Sequence, residues 1–201
     1  MTKGVIVLDA DGVLLDYNLA YAKAWEQVFR TYPHEKNANA YWAIDRWAVD
    51  RLEGESLADF RGAFDELFWG NIPAVEGSLA ACHALYQAGY ELICVTALPA
   101  KFQAARRQNL IQLGFPIDIV HTVDHADGDV SPKATLVNSI KPAAFVDDYL
   151  PYLVGIRPDI HSALILRETE MSPNKGELLS CAASQHTNLE GFARWWLTQN
   201  S

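Results

Sequence analysis

The segment VIVLDADGVLLD, residues 5–16, decides the fold class of this protein. It begins with an apolar run, which is followed by Asp9, Asp11 and Gly12. A short apolar run bounded by turn residues is typical of a strand that is buried on both faces of a parallel sheet. The two carboxylates would then lie at the carboxyl end of the strand, where they repel each other unless a cation is near. The segment therefore predicts a buried strand that brings two acids to one place.

Further apolar runs and helical patterns alternate along the rest of the chain. We predict strands at 91–95, 117–120, 143–146 and 162–166. Helical spacing of apolar residues at 77–89 and 99–114 ends each time on a glycine, and a final helix is predicted at 189–199. Strands that alternate with helices indicate right-handed crossovers and a mostly parallel sheet, which is an α/β fold.

One interval interrupts this alternation. Roughly eighty residues separate the first two predicted strands, which is too many for one crossover helix. The interval is rich in aromatic and helix-compatible residues, and we interpret it as about three amphipathic helices. The predicted organisation is a core domain of residues 1–15 and 73–201 with a helical cap domain of residues 16–72.

Two tryptophans and two arginines recur at helical spacing within the predicted cap. They are Trp42, Arg46, Trp47 and Arg51, and we place them on one helix. Packing of the tryptophans in the core of the cap is favoured over stacking on a substrate. Arg46 or Arg51 is a candidate to meet a distal anion of a substrate.

Composition limits the classes of function. The chain of 201 residues has a net charge of −9, which argues against a broad surface for nucleic acid. No apolar run approaches the ~18 residues of a membrane span, and no secretory signal pattern is evident. The three cysteines lack CxxC spacing and are expected to be reduced. We expect a cytoplasmic monomer or homodimer that binds neither membrane nor nucleic acid.

Polar residues occur where the predicted strands end. In an open parallel sheet, ligands bind outside the carboxyl ends of the strands, so these side chains are expected to converge. The candidates, in chain order, are Asp9, Asp11, Thr96, Lys133, Asp147 and Asp148.

The same residues lie in four motifs that resemble those of the haloacid dehalogenase (HAD) superfamily. VIVLDADGVLLD is similar to the first motif, an apolar strand followed by DxDGV. VTA at 95–97 supplies the threonine of the second motif, SPK at 131–133 the lysine of the third, and AFVDD at 144–148 the paired acids of the fourth. The resemblance covers nearly the whole chain and implies a Rossmann-like HAD core with a small helical cap.

The resemblance also implies roles for the residues. Asp9 would be a nucleophile that forms an acyl phosphate, and Asp11 a general acid and base. Thr96, Lys133 and the backbone amide of Ala97 would bind the transferring phosphoryl group.

Mg²⁺ is the implied cofactor. By resemblance its protein ligands would be Asp9, the backbone carbonyl of Asp11, and one or both of the paired acids. We favour Asp148 as the direct ligand, with Asp147 ligating through water or orienting Lys133.

The predicted function is that of a Mg²⁺-dependent phosphatase that acts on a small phosphorylated metabolite through an aspartyl phosphate. The dehalogenases and phosphonatases of the superfamily usually lack the second aspartate, which this chain has as Asp11. Two alternatives stay open: a phosphotransferase or phosphomutase, and a non-catalytic binding module with the same fold.

Other interpretations of the motifs are less favoured. A DG dipeptide is common in turns, but the downstream residues argue against a mere turn. A calcium loop would need repeated acidic ligands and a closing glutamate, and a nucleotide hydrolase would need G-x-x-x-x-G-K-[ST]. Capping of the segment after Asp148 is compatible with metal binding. A transition-metal site in HTVDHADGD, residues 121–129, is disfavoured because polar loops commonly have such composition.

Overall fold

The computed structural model describes residues 2–124, 131–167 and 172–200 of the chain. In these residues six parallel strands form one sheet in the order β3-β2-β1-β4-β5-β6. The strands are β1 (Gly4–Leu8), β2 (Tyr90–Ala97), β3 (Ile119–Val123), β4 (Ala144–Asp147), β5 (His161–Ile165) and β6 (Ser184–His186).

Strands β2 and β3 are added to one side of β1, and strands β4 to β6 are added to its other side, so the order of the strands reverses between β1 and β4. This is the 3-2-1-4-5-6 order of a Rossmann-like sheet, in which ligands bind at the point of reversal. The predicted α/β class with a parallel sheet is confirmed.

Eight α-helices connect or flank the strands in the described residues. They are α1 (Tyr17–Phe29), α2 (Ala43–Arg46), α3 (Gly54–Gly62), α4 (Glu66–Trp69), α5 (Ser78–Gln87), α6 (Gln103–Leu113), α7 (Ala134–Ile140) and α8 (Leu189–Gln199). Short 3₁₀ helices lie at Ala100–Phe102, Leu150–Leu153 and Glu177–Cys181. Among the described residues, no helix has the length and apolar character needed to cross a membrane.

Side chains of β1 are buried on both faces of the sheet, as its apolar run predicts. Ile6 and Leu8 belong to the core that also receives residues of α5, α6 and α8. Val7 belongs to the core on the other face, together with residues of α7. A central strand covered on both faces has no solvent-facing side, and its sequence is therefore apolar throughout.

The segment between β1 and α5 leaves the sheet and returns to it at one place. Backbone bonds join the amide of Asp16 to the carbonyl of Pro73 and the amide of Val75 to the carbonyl of Leu14, at 2.8 and 2.9 Å. Within the segment, α1, α2 and α3 pack around small apolar clusters of their own.

The interior of this segment differs from the sequence prediction. Only α2, four residues long, forms where one helix was predicted to carry Trp42, Arg46, Trp47 and Arg51. The chain instead pairs Glu35 with Trp47 in an antiparallel bridge. Tertiary pairing has here overridden a helical pattern.

The other elements lie close to their predicted positions. The predicted helix at 99–114 is a 3₁₀ turn followed by α6, and the final helix has the predicted bounds. β3 begins two residues later than predicted, and β6 was not predicted. Strand β6 consists of three residues with the sequence SQH, so it lacks the apolar run from which the other strands are predicted.

Candidate active site

Two acidic segments meet at the reversal point of the sheet. Asp9 follows β1 directly and its amide donates to the carbonyl of Val146 at 2.9 Å. Asp147 ends the neighbouring strand β4, and Asp148 follows it. Carboxylate oxygens of Asp9, Asp147 and Asp148 all lie within 4.8 Å of one another, and all three residues are buried.

Lys133 connects two of these carboxylates. Its Nζ donates to Oδ1 of Asp9 at 2.5 Å and to Oδ2 of Asp147 at 2.7 Å. The lysine immediately precedes α7 and is fully buried. Burial alone would lower the pKa of Lys133, but the charges of Asp147 and Asp9 outweigh it and raise that pKa above its usual range, so the ammonium is charged.

Asp11 is bound by an arginine that sequence reasoning missed. Nη2 of Arg106, on α6, donates to Oδ2 of Asp11 at 2.9 Å. Burial raises the pKa of Asp11 and the charge of Asp9 adds to the rise, while Arg106 opposes it. The net rise favours an Asp11 that can hold a proton, which a general acid requires.

Asp148 has partners from the later part of the chain. Nε of Arg167 donates to its Oδ2 at 3.1 Å. Its backbone carbonyl accepts hydrogen bonds from Nδ2 of Asn174 at 2.7 Å and from the hydroxyl of Tyr41 at 3.4 Å. Burial raises the pKa of Asp148 to about 6, although Arg167 opposes the rise.

Asp147 is held by two protein donors. Its Oδ2 accepts from Lys133, and its Oδ1 accepts from the amide of Tyr149 at 2.9 Å. The 3₁₀ helix at Leu150–Leu153 has Tyr149 as its N-cap and no side-chain capping bond, so the capping considered from the sequence is not formed. Burial raises the pKa of Asp147 well above its usual range, against the lowering effect of Lys133.

The local charges suit a divalent cation. Four carboxylates, those of Asp9, Asp11, Asp147 and Asp148, face three cationic side chains. The raised pKa values of Asp11, Asp147 and Asp148 indicate that these cations do not fully offset the cost of ionising those three carboxyl groups. Clustered buried oxygen ligands of this kind fit Mg²⁺, which prefers carboxylates and water.

Gly12 makes room for the acidic cluster. Its φ is +87°, and a Cβ added there would lie 2.1 Å from Oδ2 of Asp148. Glycine is therefore needed both for the left-handed backbone and for the close approach of this carboxylate.

The remaining predicted residues divide into two groups. Thr96 and Ala97, at the end of β2, line a cavity of about 770 Å³ together with Asp9, Asp11 and Asp148. Arg46 is not among the residues that line this cavity, and its Nε bonds Oε1 of Glu35 at 2.6 Å. The structure thus brings together the core residues and leaves Arg46 apart from them.

The two tryptophans of the predicted cap have different environments. Trp47 is buried among apolar residues, and its Nε1 donates to the carbonyl of Asn18 at 2.8 Å. Trp42 is 47% exposed and lines the cavity. The sequence pattern favours core packing for both tryptophans. Of the two, Trp47 packs in the core and Trp42 does not.

The alternative metal site at 121–129 lies partly outside the described residues. His121 is on β3 and Asp124 follows it, while 125–130 are not described. In the described ranges, the cluster of potential metal ligands is the one formed by Asp9, Asp147 and Asp148.

Comparisons with known proteins support the fold. No family model and no curated protein sequence matches the chain. Among solved structures, it is similar to D,D-heptose 1,7-bisphosphate phosphatase from B. bronchiseptica, a complex with magnesium and phosphate, at 15% identity and a TM-score of 0.57, over 99% of both chains. It is similar to a putative beta-phosphoglucomutase from Thermotoga maritima at 14% identity and a TM-score of 0.61, over 98% of this chain and 99% of the other.

A third similar structure is L-2-haloacid dehalogenase from Xanthobacter autotrophicus, at 16% identity and a TM-score of 0.60, over 98% of this chain and 99% of the other. Identities this low show the fold alone. The chain is an α/β protein whose described residues form a six-stranded, Rossmann-like parallel sheet. More specifically, the chain shares its fold with solved structures described as a HAD family hydrolase and an L-2-haloacid dehalogenase, which is the fold that the resemblance of its four motifs implies.

Proposed function

We propose that this protein is a Mg²⁺-dependent phosphatase that hydrolyses a small phosphomonoester through an aspartyl phosphate on Asp9. The observation that carries the proposal is the lysine bridge: Lys133 holds one oxygen of Asp9 while Asp9 itself lines the cavity. A carboxylate fixed by one oxygen presents the other in a constant direction, which favours in-line attack on phosphorus.

The chain's own residues supply the other steps. An oxygen of Asp9 attacks phosphorus, the ester P–O bond breaks, and a protonated Asp11 gives its proton to the leaving alkoxide. Asp11 then accepts a proton from water as the water oxygen attacks phosphorus, which releases phosphate and the Asp9 carboxylate. The raised pKa of Asp11 supports the first of these roles.

The acidic cluster supports Mg²⁺ as the cofactor. We propose Asp9 and Asp148 as the direct ligands, with the backbone carbonyl of Asp11 as predicted from the sequence. Asp148 lines the cavity, whereas both oxygens of Asp147 are bonded to protein donors. Bound there, Mg²⁺ would neutralise charge on the phosphoryl group and on the carboxylates.

The segment of residues 16–72 is proposed as a cap on a core of residues 1–15 and 73–201. The paired backbone bonds at 14–16 and 73–75 support these bounds, because they join the exit of the segment to its return. A cap at this position would restrict access to the cavity and favour small substrates.

The test compares wild-type protein with Asp9→Asn and, as a matched control, with Asp159→Asn at an exposed aspartate. Phosphate release from p-nitrophenyl phosphate with Mg²⁺ should vanish in Asp9→Asn, persist in Asp159→Asn, and stop when EDTA is added. Full activity in a folded Asp9→Asn variant would overturn the proposal. A shortfall of free phosphate in the presence of added alcohols would instead indicate the phosphotransferase alternative, and no turnover across a panel of phosphomonoesters would indicate the binding module.

A further inference from the structure

Aromatic side chains form one wall of the cavity. We call Tyr41, Trp42, Tyr149 and Tyr152 the aromatic wall. All four line the cavity and touch one another in sequence: ring centroids lie 4.8 Å apart for Tyr41 and Trp42, 6.2 Å for Trp42 and Tyr149, and 4.9 Å for Tyr149 and Tyr152.

The aromatic wall adjoins the acidic cluster. The hydroxyl of Tyr41 donates to the carbonyl of Asp148, and Tyr149 is the next residue in the chain. Nζ of Lys133 lies 4.7 Å from the centre of the Tyr152 ring. A phosphomonoester with its phosphoryl group at Asp9 would therefore place its alcohol portion along these rings.

Part of the wall is open to a ligand. Trp42 is 47% exposed, whereas Trp47, five residues on, is 4% exposed and packed in an apolar cluster. A large aromatic residue that is half exposed and also faces a cavity is suited to stack on a flat group.

The lining of the cavity carries little positive charge that is not already paired with the acidic cluster. Among the described residues that line the cavity, the one cationic side chain is that of Arg167, and it bonds Asp148. Arg46, the sequence candidate for a distal anion, is bonded to Glu35. A second phosphate or carboxylate group on the substrate would therefore lose its hydration in the cavity without forming an ion pair, which is unfavourable.

We propose that the substrate is a phosphomonoester whose alcohol portion carries a flat, uncharged aromatic ring, which stacks on the aromatic wall. This inference rests on the proposed function, because it takes the acidic cluster as the phosphoryl site. A nucleobase and a simple aryl group share the required chemistry, and a cavity of about 770 Å³ accommodates either.

The test compares two substrates that differ chiefly in the flatness of one ring. Benzyl phosphate and cyclohexylmethyl phosphate have alkoxide leaving groups and rings of the same size. Stacking predicts kcat/KM about three- to tenfold higher for benzyl phosphate. AMP and ribose 5-phosphate form a second pair, which differs by the presence of a nucleobase. A larger kcat/KM ratio in this pair than in the first would identify a nucleobase as the ring that stacks on the aromatic wall.

A variant ties the preference to the wall. In Trp42→Leu the benzyl-to-cyclohexylmethyl ratio should fall toward one. Tyr86→Leu is the matched control, because Tyr86 is a 56% exposed aromatic residue outside the cavity lining, and the ratio there should be unchanged. A ratio that survives Trp42→Leu unchanged would contradict the assignment to this wall.

Binding separates this inference from the proposed function. The non-hydrolysable benzylphosphonate and cyclohexylmethylphosphonate are titrated calorimetrically into wild-type protein with Mg²⁺. Tighter binding of the benzyl compound without turnover of either phosphate would support the wall and overturn the phosphatase. Equal binding and equal turnover of both pairs would overturn the wall and leave the phosphatase standing.

Discussion

Arg106 donates from Nη2 to Oδ2 of Asp11 at 2.9 Å, and it does so from a position where none of its side chain is exposed. Two other nitrogens of this guanidinium, Nε and Nη1, are buried and have no hydrogen-bond partner among the described residues. Oδ1 of Asp11 is likewise buried and without such a partner there. The guanidinium carbon lies 5.3 Å from the centre of the Trp69 ring. An arginine with unmet donors in the interior is destabilising. Its hydrogen bond holds the carboxyl group of Asp11 in place, and its charge lowers the pKa of Asp11.

Removal of Arg106 should shift the pH dependence of catalysis upward. Arg106 lowers the pKa of Asp11, so in Arg106→Met that pKa rises further. The limb of the kcat/KM profile that reports protonated Asp11 should therefore move to higher pH. The profile is measured with benzyl phosphate, because its alkoxide leaving group needs a proton from Asp11. Arg107→Met is the control, because the neighbouring Arg107 is exposed and bonds only a backbone carbonyl in the described contacts. A profile with unshifted limbs in Arg106→Met would remove Arg106 from this role.

The same pair should show energetic coupling in unfolding. Arg106→Met leaves Asp11 without its partner, and the free energy of unfolding should fall by ~3 kcal/mol. In the double variant with Asp11→Asn, the loss should be smaller than the sum of the two single losses, because neither charge is then left unpaired. Urea denaturation of the four proteins measures this, and additive losses would contradict the ion pair.

Lys133→Met should destabilise the protein more at neutral than at acid pH. The variant leaves Asp9 and Asp147 buried without their shared cation, which is expected to lower the free energy of unfolding by roughly 3–5 kcal/mol at pH 7. Near pH 4 the loss should shrink, because Asp147, whose pKa is raised by burial, is then protonated. Lys101→Met, at an exposed lysine, should show neither effect. Equal losses at both pH values would argue against this charge assignment.

The sequence predicted the residues that directly follow strands and missed those whose place depends on packing. Asp9 and Asp148 could be found because the carboxyl ends of neighbouring parallel strands converge. Arg167 could have been found by the same rule, since it lies two residues beyond β5. Asn174 lies in a loop 26 residues from Asp148, and nothing in its spacing points to that carbonyl.

The sequence indicates a buried position for Arg106 only weakly. It is four residues from the buried Leu110 and so belongs to the apolar stripe of α6, where a charged residue is unusual. Because Arg107 is adjacent, the sequence alone does not indicate which of the two arginines faces the interior. The spacing of the side chains at 42–51 predicts one helix, but the backbone there forms an antiparallel bridge between Trp47 and Glu35 instead.

Gly12→Ala should weaken metal binding as well as stability. The added Cβ would overlap Oδ2 of Asp148, a proposed Mg²⁺ ligand, and the residue has a φ of +87°. Gly114→Ala is the matched control: its φ is +84°, but nothing lies within 4 Å of the added Cβ. Both variants should lose about 1–2 kcal/mol from backbone strain. Only Gly12→Ala should also bind Mg²⁺ more weakly by calorimetry, and equal Mg²⁺ affinity in both variants would contradict the proposed ligand.

Stability without metal should decrease as pH rises through the range in which Asp148 ionises. The folded pKa of Asp148 is about 6, above its ordinary value of 3.8, so between these values the native state holds more protons than the unfolded state. The free energy of unfolding then falls with rising pH, by about 2–3 kcal/mol for this group. Asp11 and Asp147, whose pKa values are also raised, act in the same direction.

The measurement is urea denaturation in EDTA between pH 4 and pH 7, compared with Asp148→Asn, in which the decrease should be smaller. Asp159→Asn is the control, because hydrogen bonding to Arg157 lowers the pKa of Asp159 and its ionisation is therefore nearly complete across this pH range. The decrease in this variant should match that of the wild-type protein. Saturating Mg²⁺ should restore stability mainly at the upper end of this range, since the metal binds the ionised carboxylates and hence the deprotonated native state. If Mg²⁺ raised stability equally at pH 4 and pH 7, binding at these carboxylates would be contradicted.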